Sequence, residues 1–215
     1  MSAVKKQIVL GTKNPDNLRE LRKLLKDSGV EVLSVGDFPD CQEVAENGKT
    51  FEANAKKKAK VYARHTGLLT LADDSGLMVK ALNGRPGVYS ARFAGPGCTY
   101  RDNNEKLLRL LRKTPLSKRA AHFVCVVALC DKKGLVKVVR GECAGRIAFE
   151  ASGKNGFGYD PVFIPRGFKK TFAELAPGVK NRVSHRGRAL ARAKAAIRDY
   201  WARNLGSFSV PLTRY

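Results

Sequence analysis

A chain of 215 residues that is 43% hydrophobic suits one domain, or one core with a small lobe, and argues against disorder over most of its length. Its 41 lysines and arginines against 19 acids give a net charge of +22, which draws polyanions, nucleotides and nucleic acids alike, through long-range field and counterion release. No apolar stretch reaches the roughly 18 residues that span a bilayer, and residues 1–10 lack the apolar run and cleavage signal of a secretory peptide, so the expectation is a soluble cytoplasmic protein with no membrane partner.

In chain order, Gln7 to Gly11 reads as a short buried strand. A polar loop, Thr12-Lys13-Asn14-Pro15-Asp16, leads into a helix with Leu18, Leu21, Leu24 and Leu25 on one face. Such a strand-loop-helix junction aims backbone N–H groups and the positive end of a helix dipole at any anion that arrives, and Thr12, Lys13 and Asn14 add donors. Phe51 to Thr66 predicts an amphipathic helix ended by Gly67. Leu68 to Ala72 and Leu77 to Leu82 predict two strands, the second closing on a Gly84-Arg85-Pro86-Gly87 turn. Asp102 to Arg112 reads as a helix. Ala121 to Cys130 and Leu135 to Ile147 flank Asp131-Lys132-Lys133-Gly134 as a hairpin, and Ser184 to about Asn204 closes the chain with a helix that turns Leu190, Ala193, Ile197 and Trp201 inward.

Between the two expected strands stands Asp73-Asp74-Ser75-Gly76. Turns favour these residue types, which is the plain structural reading. Adjacent carboxylates also repel unless a proton or cation sits with them, and that points to Mg²⁺ and phosphate chemistry. Five cysteines (Cys41, Cys98, Cys125, Cys130, Cys143) with no Cys-x-x-Cys pair argue against a disulfide framework and against structural zinc, and His65, His122 and His185 are too scattered to suggest a histidine metal site. The positive charge is spread from Lys56 to Lys194, as a solvated basic face would be.

Five segments in order carry a family resemblance: Thr12-Lys13-Asn14, Leu71 to Leu77, Pro86 to Arg92, Gly156-Phe157-Gly158-Tyr159-Asp160-Pro161, and Ser184-His185-Arg186-Gly187. Together, from about Ile8 to Leu190, the chain resembles the Ham1-like inosine/xanthosine triphosphate pyrophosphatases. The resemblance implies an α/β fold, an elongated mixed β-sheet flanked by helices, in two lobes with a central nucleotide cleft. It implies a single domain over 1–215 with a C-terminal tail at 205–215, and a homodimer. The implied reaction is Mg²⁺-dependent hydrolysis of ITP, dITP or XTP to the monophosphate and pyrophosphate. Carried over by position, Asp74 is the catalytic acid and a metal ligand and Asp73 is its supporting neighbour at the metal site; Glu46, one residue from a customary metal-ligating acid, is a further metal-site candidate. Thr12, Lys13, Asn14, Asn17, Lys58 and Ser75 contact the substrate. Phe157 stacks on the base, Gly158, Tyr159 and Asp160 frame it, and Lys180, His185 and Arg186 meet its edge.

The chain departs from that pattern. Asn17 stands where a lysine is usual, Ala45 and Ala53 where acids are usual, and Lys80, Cys98 and Tyr100 where Asp, Ala and Asp are common. Glu46 and Glu52 are each one residue from a lost acid, which turns a side chain by about 100° on a helix or to the opposite face of a strand. Two other readings therefore stand beside the enzyme: a weakened or re-purposed nucleotide binder on the same fold, natural or engineered, and a basic protein that holds nucleic acid by its phosphates.

Overall fold

The computed structural model describes residues 5–205; of the expected tail at 205–215, all but Leu205 lies outside them. The elements run β1 (Gln7–Leu10), α1 (Pro15–Leu25), β2 (Glu31–Ser34), α2 (Phe51–Thr66), β3 (Thr70–Val79), α3 (Tyr100–Leu110), β4 (Ala120–Asp131), β5 (Gly134–Ile147), β6 (Phe163–Pro165), α4 (Pro177–Val183) and α5 (His185–Leu205). Among the described residues the strands form one mixed sheet in the order β2-β1-β3-β4-β5-β6. β1 pairs in parallel with β2 and β3, and the later pairs are antiparallel.

Local chemistry accounts for the ends of these elements. The Asn14 side chain accepts from the N–H groups of Asp16 and Asn17, and Pro15 opens α1 where a missing donor costs nothing. Thr50 caps α2 and Gly67 ends it in a left-handed conformation. The Asp131 carboxylate accepts from the N–H groups of Lys133 and Gly134 and so closes the β4–β5 hairpin.

The two strands expected around the acid pair are one. β3 runs unbroken through Asp73 and Asp74 and pairs residue by residue with β4, from Thr70↔Cys130 to Val79↔Ala121. Lys80 to Leu82 is a 3-10 turn. The acids do not break the strand because each meets a distant partner, described below. Two elements carry too weak a pattern to be predicted, the four-residue β2 and the seven-residue α4.

The sheet has α1 and α5 on one face and α2 on the other. Leu21 and Leu25 of α1 and Leu190, Ala193 and Ile197 of α5 pack on Ile8, Leu10, Leu71, Cys125 and Val127. On the opposite face Ala55, Ala59 and Ala63 of α2 pack on Ala72, Val124 and Val126. Beyond the middle of β3 a second cluster on the α5 face gathers Leu77, Val79, Leu107, Phe123, Phe163 and Phe172. Between Leu71 and Leu77 on this face stand Asp73 and Ser75, so a polar gap separates two apolar bodies. That gap coincides with the topological switch of the sheet. β1 follows β3 only over Val9↔Thr70 and Leu10↔Leu71 and then leaves, which opens the edge of β3 at Asp73 to Gly76.

One crossing sets the helix that overlooks this gap. A Cβ at Gly141 of β5 would stand 2.2 Å from the His185 carbonyl oxygen and 2.4 Å from the Ala189 nitrogen, so the first turn of α5 lies directly on the strand's main chain.

Candidate active site

Successive β3 side chains point to opposite faces, and this divides the acid pair. Asp73, on the α5 face, takes both Nε and Nη2 of Arg186 on its Oδ2 at 3.1 and 3.0 Å; its Oδ1 is buried with no partner. Arg186 also donates to Ser75 Oγ at 2.9 Å and to Glu20 of α1 at 2.5 Å. Asp74, on the α2 face, accepts from Asn54 Nδ2 at 2.8 Å and from the Ser75 N–H at 2.9 Å. Asn54 and Lys58 are four residues apart on α2, hence on one face, and Lys58 forms a close ion pair with Glu46.

Burial, reinforced by the Glu46 charge, pushes the Asp74 carboxyl up to about 6 against the opposing pull of Asn54 and Lys58. Burial also works against the Lys58 charge, but Asp73, Glu46 and Asp74 outweigh it and hold the ammonium above its ordinary value. Glu20 is lowered in spite of burial because Arg186 and Lys180 face it.

Asp73, Asp74, Ser75, Glu46 and Lys58 line a polar cavity of about 260 Å³ together with Thr12, Lys13, Asn14 and Asn17. Asn14, Asn17, Ser75 and Ala91 also line an adjoining cavity of about 120 Å³, so the two form one cleft with an acid end and an aromatic end. The aromatic end contains Phe157, Gly158, Tyr159, Asp160, Lys180, His185 and Arg186. A larger concavity of about 880 Å³ lies away from the acid pair along β3 to β6, and holds none of the residues expected at the site.

In the aromatic end Lys180 Nζ lies 5.0 Å and Arg186 Cζ 5.6 Å from the centre of the Phe157 ring. Lys180 pairs with Asp160 at 2.6 Å, and Asp160 accepts the Phe157 N–H at 2.9 Å, which fixes the loop that carries the ring. Tyr159 is buried with its hydroxyl donating to the Ser90 carbonyl, so its phenol serves the scaffold. His185 stacks on Phe123 at 4.4 Å, its Nδ1 without a partner. Burial and the neighbouring Arg186 and Lys180 charges drive it well below the usual histidine range, so the ring is neutral at pH 7.

The sequence-predicted residues thus converge on one cleft. Lys13 is the outlying member: it is exposed and its Nζ is engaged by the Cys41 carbonyl at 2.9 Å. Sequence reasoning missed Glu20, Asn54 and Tyr100. Asn54 was legible in principle, four residues before Lys58; a buried glutamate beside Leu21 has no local signal.

Among the described residues no three Asp, Glu, His or Cys side chains form a ready-made metal cage. The donors are all hard oxygens, and the orphaned Asp73 Oδ1 is one buried acceptor to spare. This set fits Mg²⁺, which takes one or two carboxylates and completes its shell from water and phosphate.

The fold and cleft define an α/β protein with a two-ended pocket at the switch point of its sheet. The structure is similar to that of a HAM1 protein from Coxiella burnetii, with a TM-score of 0.82 and 40% identity over 90% of this chain and 99% of that one. In sequence the chain is 50% identical to a dITP/XTP pyrophosphatase of Desulforamulus reducens over 87% of this chain and 93% of the relative, and 46% identical to one of Bacillus cereus over 91% and 97%. The Ham1 family model matches residues 8–196, and the chain belongs to the Ham1 family.

Proposed function

We propose that this chain is a nucleoside triphosphate pyrophosphatase that converts ITP, dITP or XTP and water to the monophosphate and pyrophosphate, and so removes deaminated purines from the nucleotide pool. The observation that carries the proposal is the two-ended cleft, in which a raised carboxyl beside a lysine adjoins an aromatic ring bordered by cations. The names of the relatives agree with it.

In this reading the base stacks on Phe157, and an oxo group on its six-membered ring accepts from Lys180, His185 or Arg186. Adenine offers an amino group there and no acceptor, which sets the preference for hypoxanthine and xanthine. The triphosphate extends past Ser75 toward Thr12, Lys13, Asn14 and Asn17 at the α1 N-terminus. Asp74 accepts the proton of the attacking water at a carboxylate oxygen; each of its oxygens keeps a lone pair beyond the bonds from Asn54 and Ser75. Lys58 offsets the charge that develops on the phosphates. Asp74, with at most one further acid, Asp73 or Glu46, and with water and phosphate completing the shell, would hold Mg²⁺, which supplies charge neutralisation and polarises water. Catalysis on this view is positioning and electrostatics, with no covalent intermediate.

Pyrophosphate release from ITP, dITP, XTP, GTP and ATP with Mg²⁺, run beside Asp74→Asn, tests the proposal. Turnover confined to the deaminated purines and lost in the variant supports it; equal turnover of ATP and ITP overturns it. A catalytically weak nucleotide binder is the second reading, favoured by Ala45, Ala53 and Asn17, and tight ITP binding without turnover would identify it. The family resemblance further supports a homodimer in the cytoplasm. Five free thiols suit a reducing compartment, and among the described residues no helix is long and apolar enough to cross a membrane. Sedimentation of the full chain checks the dimer.

A further inference from the structure

Tyr100 is the first residue of α3, set there by the Thr99 capping box, and it is 38% exposed. Its ring lines the aromatic end of the cleft, and its centroid stands 6.0 Å from that of Phe157 with 41° between the planes. The hydroxyl reaches the start of α1, where it donates to Asp16 Oδ2 at 3.2 Å and accepts from Asn14 Nδ2 at 3.4 Å. Asn14 is the cap of α1 and lines the acid end as well. One side chain therefore bridges the two ends of the cleft, its ring at the aromatic end and its tip at the loop that faces the phosphates.

A planar ring exposed over a cavity and opposed by a second ring has the form of a clamp for a flat ligand. A base in van der Waals contact with both rings needs roughly 7 Å between them, about 1 Å more than the rings now leave. The hydroxyl contacts are at the long end of the hydrogen-bond range and open to water, so a small outward swing of Tyr100 meets little resistance.

We propose that Tyr100 is the second stacking face of the base site, closing on a purine held against Phe157, with its hydroxyl tying that clamp to the α1 N-terminus. The proposal rests on the reading of the aromatic end as the base site. Stacking is indifferent to the base edge, so Tyr100 adds affinity for any purine and leaves discrimination to Lys180, His185 and Arg186.

Calorimetric binding of inosine monophosphate and of inorganic triphosphate to the full chain separates the possibilities. Tyr100→Ala is expected to weaken the nucleotide by about tenfold or more and to leave triphosphate unchanged, while Tyr100→Phe keeps most of the nucleotide affinity. Phe157→Ala serves as the control for the base site. If Phe157→Ala weakens the nucleotide and Tyr100→Ala does not, the second face is wrong and the base site stands. If neither does, the base site itself is wrong. Equal loss of nucleotide and triphosphate in Tyr100→Ala, or equal loss of nucleotide in Tyr100→Ala and Tyr100→Phe, also overturns the stacking role.

Discussion

Arg186 gives two donors to a single oxygen of Asp73 and leaves the other oxygen of that carboxylate buried and unpaired. An arginine more often meets a carboxylate fork to fork, one donor on each oxygen. Here the second fork position is used elsewhere, since Nη1 goes to Glu20 and Nη2 is shared with Ser75. One cation thereby ties α1, β3 and α5 together and still spares a carboxylate oxygen for the cleft.

Removing that cation should be severe. Arg186→Ala strips the buried Asp73 of its cationic hydrogen-bond partner and leaves Glu20 with Lys180 alone, and loss of about 3–5 kcal/mol of stability is expected. The triple change Glu20→Gln, Asp73→Asn, Arg186→Met should recover much of it, because the uncompensated charges are gone. Urea unfolding of the three proteins measures this; a triple variant as unstable as the single one would show that the charges are not the cause.

Asp74 should make stability fall with rising pH. Its folded-state carboxyl lies near 6 against an ordinary 3.8, so the folded protein holds that proton in the window where the unfolded chain has released it. The Asp74 contribution is therefore most favourable at and below about pH 4 and is lost as pH rises through about 6. Relative to wild type, Asp74→Asn should gain on the order of 2 kcal/mol between about pH 4 and pH 7. Parallel denaturation curves at the two pH values decide it, and a gap that does not change with pH refutes the assignment.

The same group should set the acid limb of activity. kcat/KM for ITP is expected to rise with pH through about 6 as Asp74 ionises. Glu46→Gln removes a like charge beside it and frees the Lys58 ammonium, and both effects favour the ionised form, so the limb moves to lower pH whatever happens to the maximal rate. A pH–rate profile of the two proteins is sufficient. A limb that stays in place, or moves up, rules out this neighbour effect.

Asn17 lines both ends of the cleft, where a lysine would add a full positive charge near the phosphates. Asn17→Lys should strengthen triphosphate binding by about 1 kcal/mol at low ionic strength. The gain should shrink as salt screens the partly exposed site. Titration with a non-hydrolysable ITP analogue at two salt concentrations reads this directly, and a gain insensitive to salt would point away from charge.

Much of this architecture was legible before any coordinates. α2 shows its period and its Gly67 stop, and the β4–β5 hairpin shows two apolar runs around Asp131-Lys132-Lys133-Gly134. The middle of β3 was misread because Asp-Asp-Ser-Gly has turn chemistry. What keeps it extended comes from Arg186, 113 residues away, and from Asn54, 20 residues away, which no local window contains. Glu20 was invisible for the same reason: its partners Arg186 and Lys180 lie at the other end of the chain. The departures at Asn17 and Tyr100 could be seen in the sequence as departures, but the bridge from Tyr100 to Asp16 required the fold.

At Gly141 the first turn of α5 rests on bare main chain, with no side chain in between. The cationic corner of the cleft is thus set against the sheet by a backbone contact as well as by the Arg186 side-chain bonds to Asp73 and Ser75. A single methyl group at this crossing would meet the His185 carbonyl and the Ala189 nitrogen and lift His185 and Arg186 together, so one hydrogen atom on β5, two strands across from Ser75, bears on the alignment of the cationic corner.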